Sequence, residues 1–123
     1  MNEILQVIFR MLKNYSDAVY YEDAPNKAEY PYLVYNLEDG YRSYREEYIL
    51  TLDFWDRNQS SSNIENLVDA YDKHLENKLI VTELFSIRLN RLQRLKIEDE
   101  DKGLKRRQLK FEVQIYQRKD NQK

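Results

Sequence analysis

The sequence predicts an α+β domain in which two helices pack on one face of an antiparallel or mixed β-sheet of about four strands. Two segments carry apolar side chains at the spacing of a helix face, and several others alternate between apolar and polar residues as strands do. Glycine and proline, with two of each, are too scarce to interrupt these segments often. The order helix, strand, strand, helix, strand, strand therefore predicts a two-layer sandwich that ends in a long β-hairpin.

The first helix is predicted from Asn2 to about Tyr15, with Asn2 as its N-cap. Residues 23–27, which contain a proline, interrupt the helical pattern and predict a loop. The apolar residues of the helix recur on one face: Ile4, Leu5, Ile8, Phe9 and Leu12.

Two strands are predicted next. The first is an aromatic and β-branched run that begins at Pro31 and ends at Gly40. Proline lacks an N–H, and at the first position of a strand this disturbs the hydrogen bonding least. Residues 45–57 form the clearest strand, and Ile49 and Trp55 on its second face predict that this face is also partly covered. The first face of that strand carries Tyr48, Leu50, Leu52 and Phe54.

The second helix is predicted from Ser62 to Asn77. Ser62 and Glu65 have the spacing of a capping box, in which two side chains bind the free N–H groups at a helix start. One buried stripe is expected: Ile64, Leu67, Val68, Tyr71 and Leu75.

The last part of the chain predicts a long antiparallel hairpin with a polar turn at residues 98–103. The apolar residues of its first arm change parity, which predicts a β-bulge near residues 90–93. Its second arm alternates regularly: Leu109, Phe111, Val113 and Ile115. No repeat or interdomain linker is visible, so we expect one domain over residues 1–119 and a short polar tail at 120–123.

The composition excludes several classes of protein. The 123 residues include no cysteine, which excludes disulfides, cysteine-ligated zinc and thiolate catalysis. The longest apolar run is about four residues, far short of the roughly 20 that cross a bilayer. The acidic, amphipathic start lacks the pattern of a signal peptide. We therefore expect a folded protein with no membrane partner.

Charge is divided unevenly along the chain, although the net charge is only −2. Residues 1–85 carry eight Lys and Arg against sixteen Asp and Glu, whereas residues 86–123 carry twelve against six. Such opposed ends suit docking on a complementary partner or on a second copy of the chain. The alternative is that a long exposed hairpin carries Lys and Arg for solubility.

No convergent set of catalytic or ligand-binding residues is visible. The only histidine, His74, is expected at the flank of the second helix, where a lone imidazole is a poor metal ligand. Asp53 and Asp56 have opposite parity in a strand and would not converge on one substrate. The two glycines lie far apart and form no phosphate-binding loop. We expect no catalytic residue, cofactor, metal or small-molecule substrate.

The basic hairpin is the feature with two functional interpretations. Eight cations on its two strands could follow a phosphate backbone, but nucleic-acid-binding domains are usually strongly basic and this chain is slightly acidic. Protein docking is therefore favoured, and a small nucleic-acid-binding or nuclease-toxin-like domain is the alternative. The cations are Arg88, Arg91, Arg94, Lys96, Lys105, Arg106, Arg107 and Lys110.

Tyrosine is unusually abundant, and nine of the eleven tyrosines lie between residues 15 and 48. Tyrosine contributes apolar area yet tolerates water, so it is enriched at protein–protein contacts. The polar but aromatic segment 39–47 has the composition of an interface loop. The residues that we expect to make contacts with other proteins are Tyr41, Tyr44, Trp55, Arg88, Arg91, Arg94, Arg106 and Arg107.

Four segments together resemble one family over nearly the whole chain. They are the aromatic-proline-aromatic strand at 30–35, the strand end Leu-Asp-Phe-Trp-Asp at 52–56, the amphipathic helix at 67–75 and the hairpin end at 110–116. This arrangement resembles the tail terminator proteins (tail completion, head–tail joining) of long-tailed bacteriophages and their prophage remnants.

The resemblance implies an α+β fold and no enzymatic activity. It implies a homo-oligomeric ring, commonly a hexamer, that caps the finished tail tube and meets the head connector. The expected partners are therefore the tail tube protein and the head connector protein, with DNA only as passing cargo. The expected location is the virion tail, or the bacterial cytoplasm during assembly.

Overall fold

The sheet contains six strands, two more than the sequence predicts. The structure is a computed structural model and describes residues 2–40 and 47–117. The predicted α+β class with two helices is confirmed, and the additional strands, β1 and β4, are each too short to display an alternating pattern. The elements are α1 (Asn2–Lys13), β1 (Val19–Tyr21), β2 (Tyr32–Asp39), β3 (Glu47–Arg57), α2 (Ser62–Leu75), β4 (Leu79–Val81), β5 (Phe85–Ile97) and β6 (Leu104–Gln117).

The strands follow the order β1-β2-β3-β6-β5-β4 across the sheet. β1 and β2 are parallel and every other pair is antiparallel, so the sheet is mixed. β6 pairs with β3 from Leu104 to Gln114 and with β5 from Arg106 to Gln117. The C-terminal hairpin is thus not an outlying arm, because β6 is an inner strand.

The predicted bulge in β5 is confirmed, since the register with β6 shifts between Arg91 and Gln93. Before the shift Arg91 lies opposite Phe111, and after it Arg94 lies opposite Leu109. Phe111 and Leu109 are buried on the same face of β6. The bulge therefore places Arg91 and Arg94, three residues apart, on the same face of the sheet, where an unbroken strand would place them on opposite faces.

Both helices pack on one face of the sheet and form a single apolar core with it. The two helices are also joined directly, because the buried Tyr71 hydroxyl of α2 donates a hydrogen bond of 2.7 Å to the Leu12 carbonyl of α1. Burial raises the pKa of Tyr71 above its ordinary value. The core residues contributed by the helices are Ile4, Ile8, Met11, Leu12, Ile64, Val68, Tyr71 and Leu75.

Both helices end earlier than the sequence predicts. α1 ends at Lys13 rather than near Tyr15, and α2 ends at Leu75 rather than Asn77. Asn77 has a φ of 60°, the left-handed conformation that commonly follows a helix end.

The predicted capping box at the start of α2 is wrong. The N-cap is Ser61, which makes no side-chain cap bond, and the Ser62 hydroxyl lies 3.0 Å from that of Ser60. The Glu65 carboxylate instead binds Arg94 and Arg107. These bonds join the carboxylate to two oppositely charged groups, whereas a capping-box bond would join it to a neutral backbone N–H.

Tyr71→Phe tests the link between the helices. We expect the free energy of unfolding to fall by about 1–2 kcal/mol, because the buried Leu12 carbonyl loses its side-chain donor. Urea denaturation measures the change. Tyr116→Phe is the matched control, because its hydroxyl bonds Gln114 at an exposed site, and an equal loss in both variants would contradict the assignment.

Candidate protein interface

The second face of the sheet carries no helix among the described residues. Because side chains alternate along a strand, the residues before and after each core residue point to this second face, which we call the open face. Three adjacent strands contribute one row of it, because Tyr32 pairs with Trp55 and Trp55 with Arg106. The aromatic residues of this row are only partly buried, as the sequence predicts for the second face of β3.

Four aromatic rings and one guanidinium on the open face form a continuous group that we call the aromatic ladder. The Tyr32 ring lies 6.1 Å from Tyr20, 5.4 Å from Tyr30 and 6.3 Å from Trp55, measured between centroids. The Tyr32 and Trp55 rings are nearly parallel, at an interplanar angle of 15°. The Arg106 guanidinium lies 4.0 Å from the centroid of Trp55, within the range of a cation–π contact.

The central tyrosine of the ladder has a raised pKa. Desolvation by burial raises the pKa of Tyr32, and Tyr30 adds to the increase, while Arg106 opposes it. Tyr30 at the end of the ladder is 44% exposed, so the ladder presents fixed but accessible aromatic surface.

Two shallow grooves adjoin the ladder on the open face. The first has a volume of about 250 Å³ and is lined by Tyr32, Val34 and Trp55, with Glu22, Asp23 and Asp53 among its polar residues. The second, of about 490 Å³, continues toward Glu38 and shares Glu22, Asn36 and Asp53 with the first. The two grooves are therefore continuous, and the charged residues that line them are four carboxylates against the two cations Arg106 and Lys110.

Three of the arginines expected to dock on partners have partners within the chain. We call these residues the arginine clamp: Arg91, Arg94 and Arg107, with the α2 and C-cap carboxylates Glu65, Asp69, Asp72 and Glu76. Arg94 binds Asp69 at 2.8 Å, Glu65 at 2.9 Å and Asp72 at 3.2 Å.

The most buried member of the clamp is Arg107, whose side chain is 5% exposed. Its Nε donates a hydrogen bond of 2.7 Å to Glu65. This bond, followed by those from Arg94, holds the pKa of Glu65 below its ordinary value. The clamp fastens α2 to the C-terminal hairpin.

The other expected contact residues have different positions. Arg88 is exposed on the open face and has no ion pair among the described residues. Trp55 and Arg106 belong to the aromatic ladder. Tyr41 and Tyr44 lie outside the described residues.

The residues considered for catalysis do not converge. His74 stacks on Tyr15 with a centroid distance of 4.7 Å, while Asp53 lies on the open face and Asp56 on the helix-covered face, as strand parity predicts. Within residues 2–40 and 47–117, no group of three or more His, Asp and Glu residues is arranged to hold a metal ion. No helix in that part of the chain is long and apolar enough to cross a membrane.

Sequence reasoning missed Tyr20, Tyr30 and Tyr32 as members of the candidate interface. The signal for Tyr32 is present, since it has the parity opposite to the buried Leu33 and Tyr35 of the same strand. Tyr20 lies on a three-residue strand without a readable pattern. Tyr30 precedes its strand and joins the ladder only through tertiary packing.

Comparisons with known proteins show a likeness of fold to solved structures. No protein-family model matches the chain, and no curated protein matches its sequence. A chain in a solved structure described as the virion of a native gene transfer agent particle matches with a TM-score of 0.62. The match covers 85% of this chain and 84% of that chain at 14% sequence identity, which shows a common fold.

Glu65→Gln tests the arginine clamp. We expect the free energy of unfolding at pH 7 to fall by about 1–2 kcal/mol, less than for a fully buried ion pair because the Glu65 side chain is 39% exposed. A carboxyl group whose pKa is lowered by folding stabilises the protein at a pH above its unfolded pKa, which is near 4.5. That stabilisation is lost as the pH falls through the pKa of the folded state. The difference between variant and wild type should therefore shrink below about pH 5.

Urea denaturation between pH 3 and pH 7 measures this difference. Glu83→Gln is the control, because Glu83 is exposed and has no ion pair in the described part of the chain. A Glu65→Gln deficit that stays constant across the pH range would show that the charge of Glu65 is not its cause.

Proposed function

We propose that the chain is a non-enzymatic structural protein of a phage-like particle. The observation that supports this most directly is the fold it has in common with a chain of the gene transfer agent virion, over more than four-fifths of both chains. The open face adds independent support, because aromatic residues and arginine are enriched where proteins bind one another. A structural role requires no reactive centre, and the arrangement of His74, Asp53 and Asp56, which do not converge on one site, fits such a role.

Within that class, we propose the role of a tail terminator. Copies of the chain would form a ring, commonly of six, that caps the tail tube and meets the head connector, with DNA passing through. Its location would be the virion tail, or the bacterial cytoplasm during assembly. A ring requires two unlike surfaces on each copy, and we propose that the open face with Trp55, Arg88 and Arg106 is one of them. Tyr41 and Tyr44 remain proposed contacts.

The arginine clamp favours protein partners over a nucleic acid. Arg91, Arg94 and Arg107 already bind carboxylates of α2 and its C-cap, so their charge is largely neutralised within the chain. A nucleic acid is bound by unpaired Lys and Arg side chains that replace the counterions of its phosphates. These three arginines are poorly suited to that role, because they already bind carboxylates within the chain.

Ring formation and tube capping test the proposal together. The purified chain is mixed with the tail tube protein encoded in the same genome, rings are counted by native mass spectrometry, and tube lengths are measured by electron microscopy. We expect rings in the mixture and tubes that stop elongating when the chain is added before polymerisation is complete. A chain that stays monomeric at millimolar concentration and leaves tube length unchanged would refute the proposal.

Trp55→Ala is the variant that links this test to the open face. It should abolish capping while the protein still unfolds cooperatively, and Trp55→Phe should retain most of the capping. Tyr21→Ala is the control, because Tyr21 is an exposed aromatic residue whose side chain lies on the other face of the sheet. Equal effects of Trp55→Ala and Tyr21→Ala would exclude the open face as the contact surface.

The arginines provide a second prediction, because docking and structural roles affect different measurements. Arg88→Ala and Arg106→Ala should weaken capping while the free energy of unfolding changes by less than about 1 kcal/mol. Arg94→Ala should lower the free energy of unfolding by about 1–2 kcal/mol, because three carboxylates lose a partner. Urea denaturation and tube length separate the two groups, and capping unaffected by Arg88→Ala and Arg106→Ala would remove them as docking charges.

A further inference from the structure

We propose that the continuous groove beside the aromatic ladder binds an extended, cationic, proline-rich segment of a neighbouring protein. The inference rests on the proposed function in treating the open face as a contact surface, and it adds the chemistry of the partner. The first reason is the shape of the site. The two grooves follow β2 from Tyr32 to Glu38, which is about 20 Å along a strand. An extended segment of about six residues has that length.

The aromatic ladder supplies the apolar contacts that a proline-rich segment needs. Polyproline II segments dock on grooves lined by aromatic side chains, and they lose little entropy because their conformation is already formed. The ring of Tyr32 is packed between Tyr20, Tyr30 and Trp55 before any partner binds. The site is thus also ordered in advance, which lowers the cost of binding on the protein side.

Charge determines the second property of the partner. Glu22, Asp23 and Asp53 line the part of the groove nearest the ladder, where the facing cation is Arg106. The guanidinium of Arg106 is stacked on Trp55 at 4.0 Å. The groove therefore carries excess negative charge next to fixed aromatic rings, and a segment with Arg or Lys between its prolines complements both features.

A buried polar group in the groove also lacks a partner. Thr51 lies beneath the second groove with 6% of its surface exposed, and its Oγ1 has no hydrogen-bond partner among the described residues. Leaving such a group unpaired is costly. A peptide carbonyl lying in the groove would accept a hydrogen bond from this hydroxyl after a small adjustment of the groove wall.

The backbone at the edge of the groove is held in an unusual conformation. Glu22 has a φ of 68°, in the left-handed region that residues other than glycine rarely adopt. Its N–H donates to the Tyr35 carbonyl at 3.0 Å, which fixes this turn against β2. The turn brings Glu22 and Asp23 to the groove instead of continuing β1 along the sheet edge.

Trp55 makes the proposal directly measurable, because it is the only tryptophan of the chain and lies in the ladder. The peptide (Arg-Pro-Pro)₃ is titrated into the free chain while tryptophan emission is recorded. The comparison peptides are (Glu-Pro-Pro)₃, which reverses the charge, and (Arg-Gly-Ser)₃, which removes proline. We expect a saturable change with the first peptide and at least about tenfold weaker binding of the other two.

Two variants keep the reporter and change the groove. Tyr32→Ala removes the centre of the ladder, and the double variant Glu22→Gln, Asp53→Asn removes two charges at the groove. Each should weaken binding by about fivefold or more, whereas the Tyr21→Ala control should bind like wild type. If Tyr32→Ala fails to fold by circular dichroism, Tyr30→Ala at the exposed end of the ladder replaces it.

The outcomes separate this inference from the proposed function. Any one of three outcomes would overturn the inference: no saturable change with (Arg-Pro-Pro)₃, equal binding of (Glu-Pro-Pro)₃, or unaltered binding by the groove variants. None of these outcomes would contradict ring formation or tube capping. Emission that changes with protein concentration in the absence of peptide, together with loss of peptide binding as the chain associates, would also overturn it, since a second copy would then occupy the groove itself. Peptide binding by a chain that never caps tubes would support the proposed peptide-binding groove and refute the proposed role of tail terminator.

Discussion

Both helices of the described residues pack on the same face of the six-stranded sheet and leave the other face without a helix, and the other features of this protein depend on that arrangement. Because strand side chains alternate between faces, every core residue of β3 and β6 has a neighbour that points away from the helices. Those neighbours include Trp55 and Arg106, which with Tyr32 cover one end of the open face. The core and the candidate interface are thus two sides of the same strands, and a register slip of one residue would exchange them.

The uneven distribution of charge along the chain has a structural cause. Acids of α2 and its C-cap, in the negative part of the sequence, meet arginines of β5 and β6, in the positive part. Much of the charge complementarity that the sequence suggests between neighbouring copies is therefore used within one copy, where it holds α2 against the hairpin. The bulge in β5 is part of this arrangement, because it places Arg91 and Arg94 on the same face. The open face still presents a negative groove next to the ladder, together with Arg106 and the exposed Arg88.

The sequence predicts the core better than the interface, for physical reasons. Apolar periodicity reports on burial, so α1, α2, β3 and β6 and their buried faces can be read from it, as can the bulge. Residues 62 and 65 have capping-box spacing, but a local pattern does not reveal that two arginines far along the chain compete for Glu65. Three-residue strands such as β1 and β4 carry no period at all. The ladder combines side chains from β1, β2, β3, β6 and a loop, and only the strand order brings Tyr20 and Arg106 onto one surface.

The separation of the clamp from the ladder determines how this surface can change without loss of the fold. The clamp residues lie between α2 and the hairpin, so altering one of them loosens the packing of a helix. The ladder and groove residues lie on the open face, and their side chains contribute to the core only through the strands that they share with it. Substitutions on the open face can therefore alter the partner while the helix-covered core stays intact. The common fold of this chain and the gene transfer agent chain at 14% identity is compatible with such an arrangement, since the fold depends on the period of the strands and not on which residues point outward.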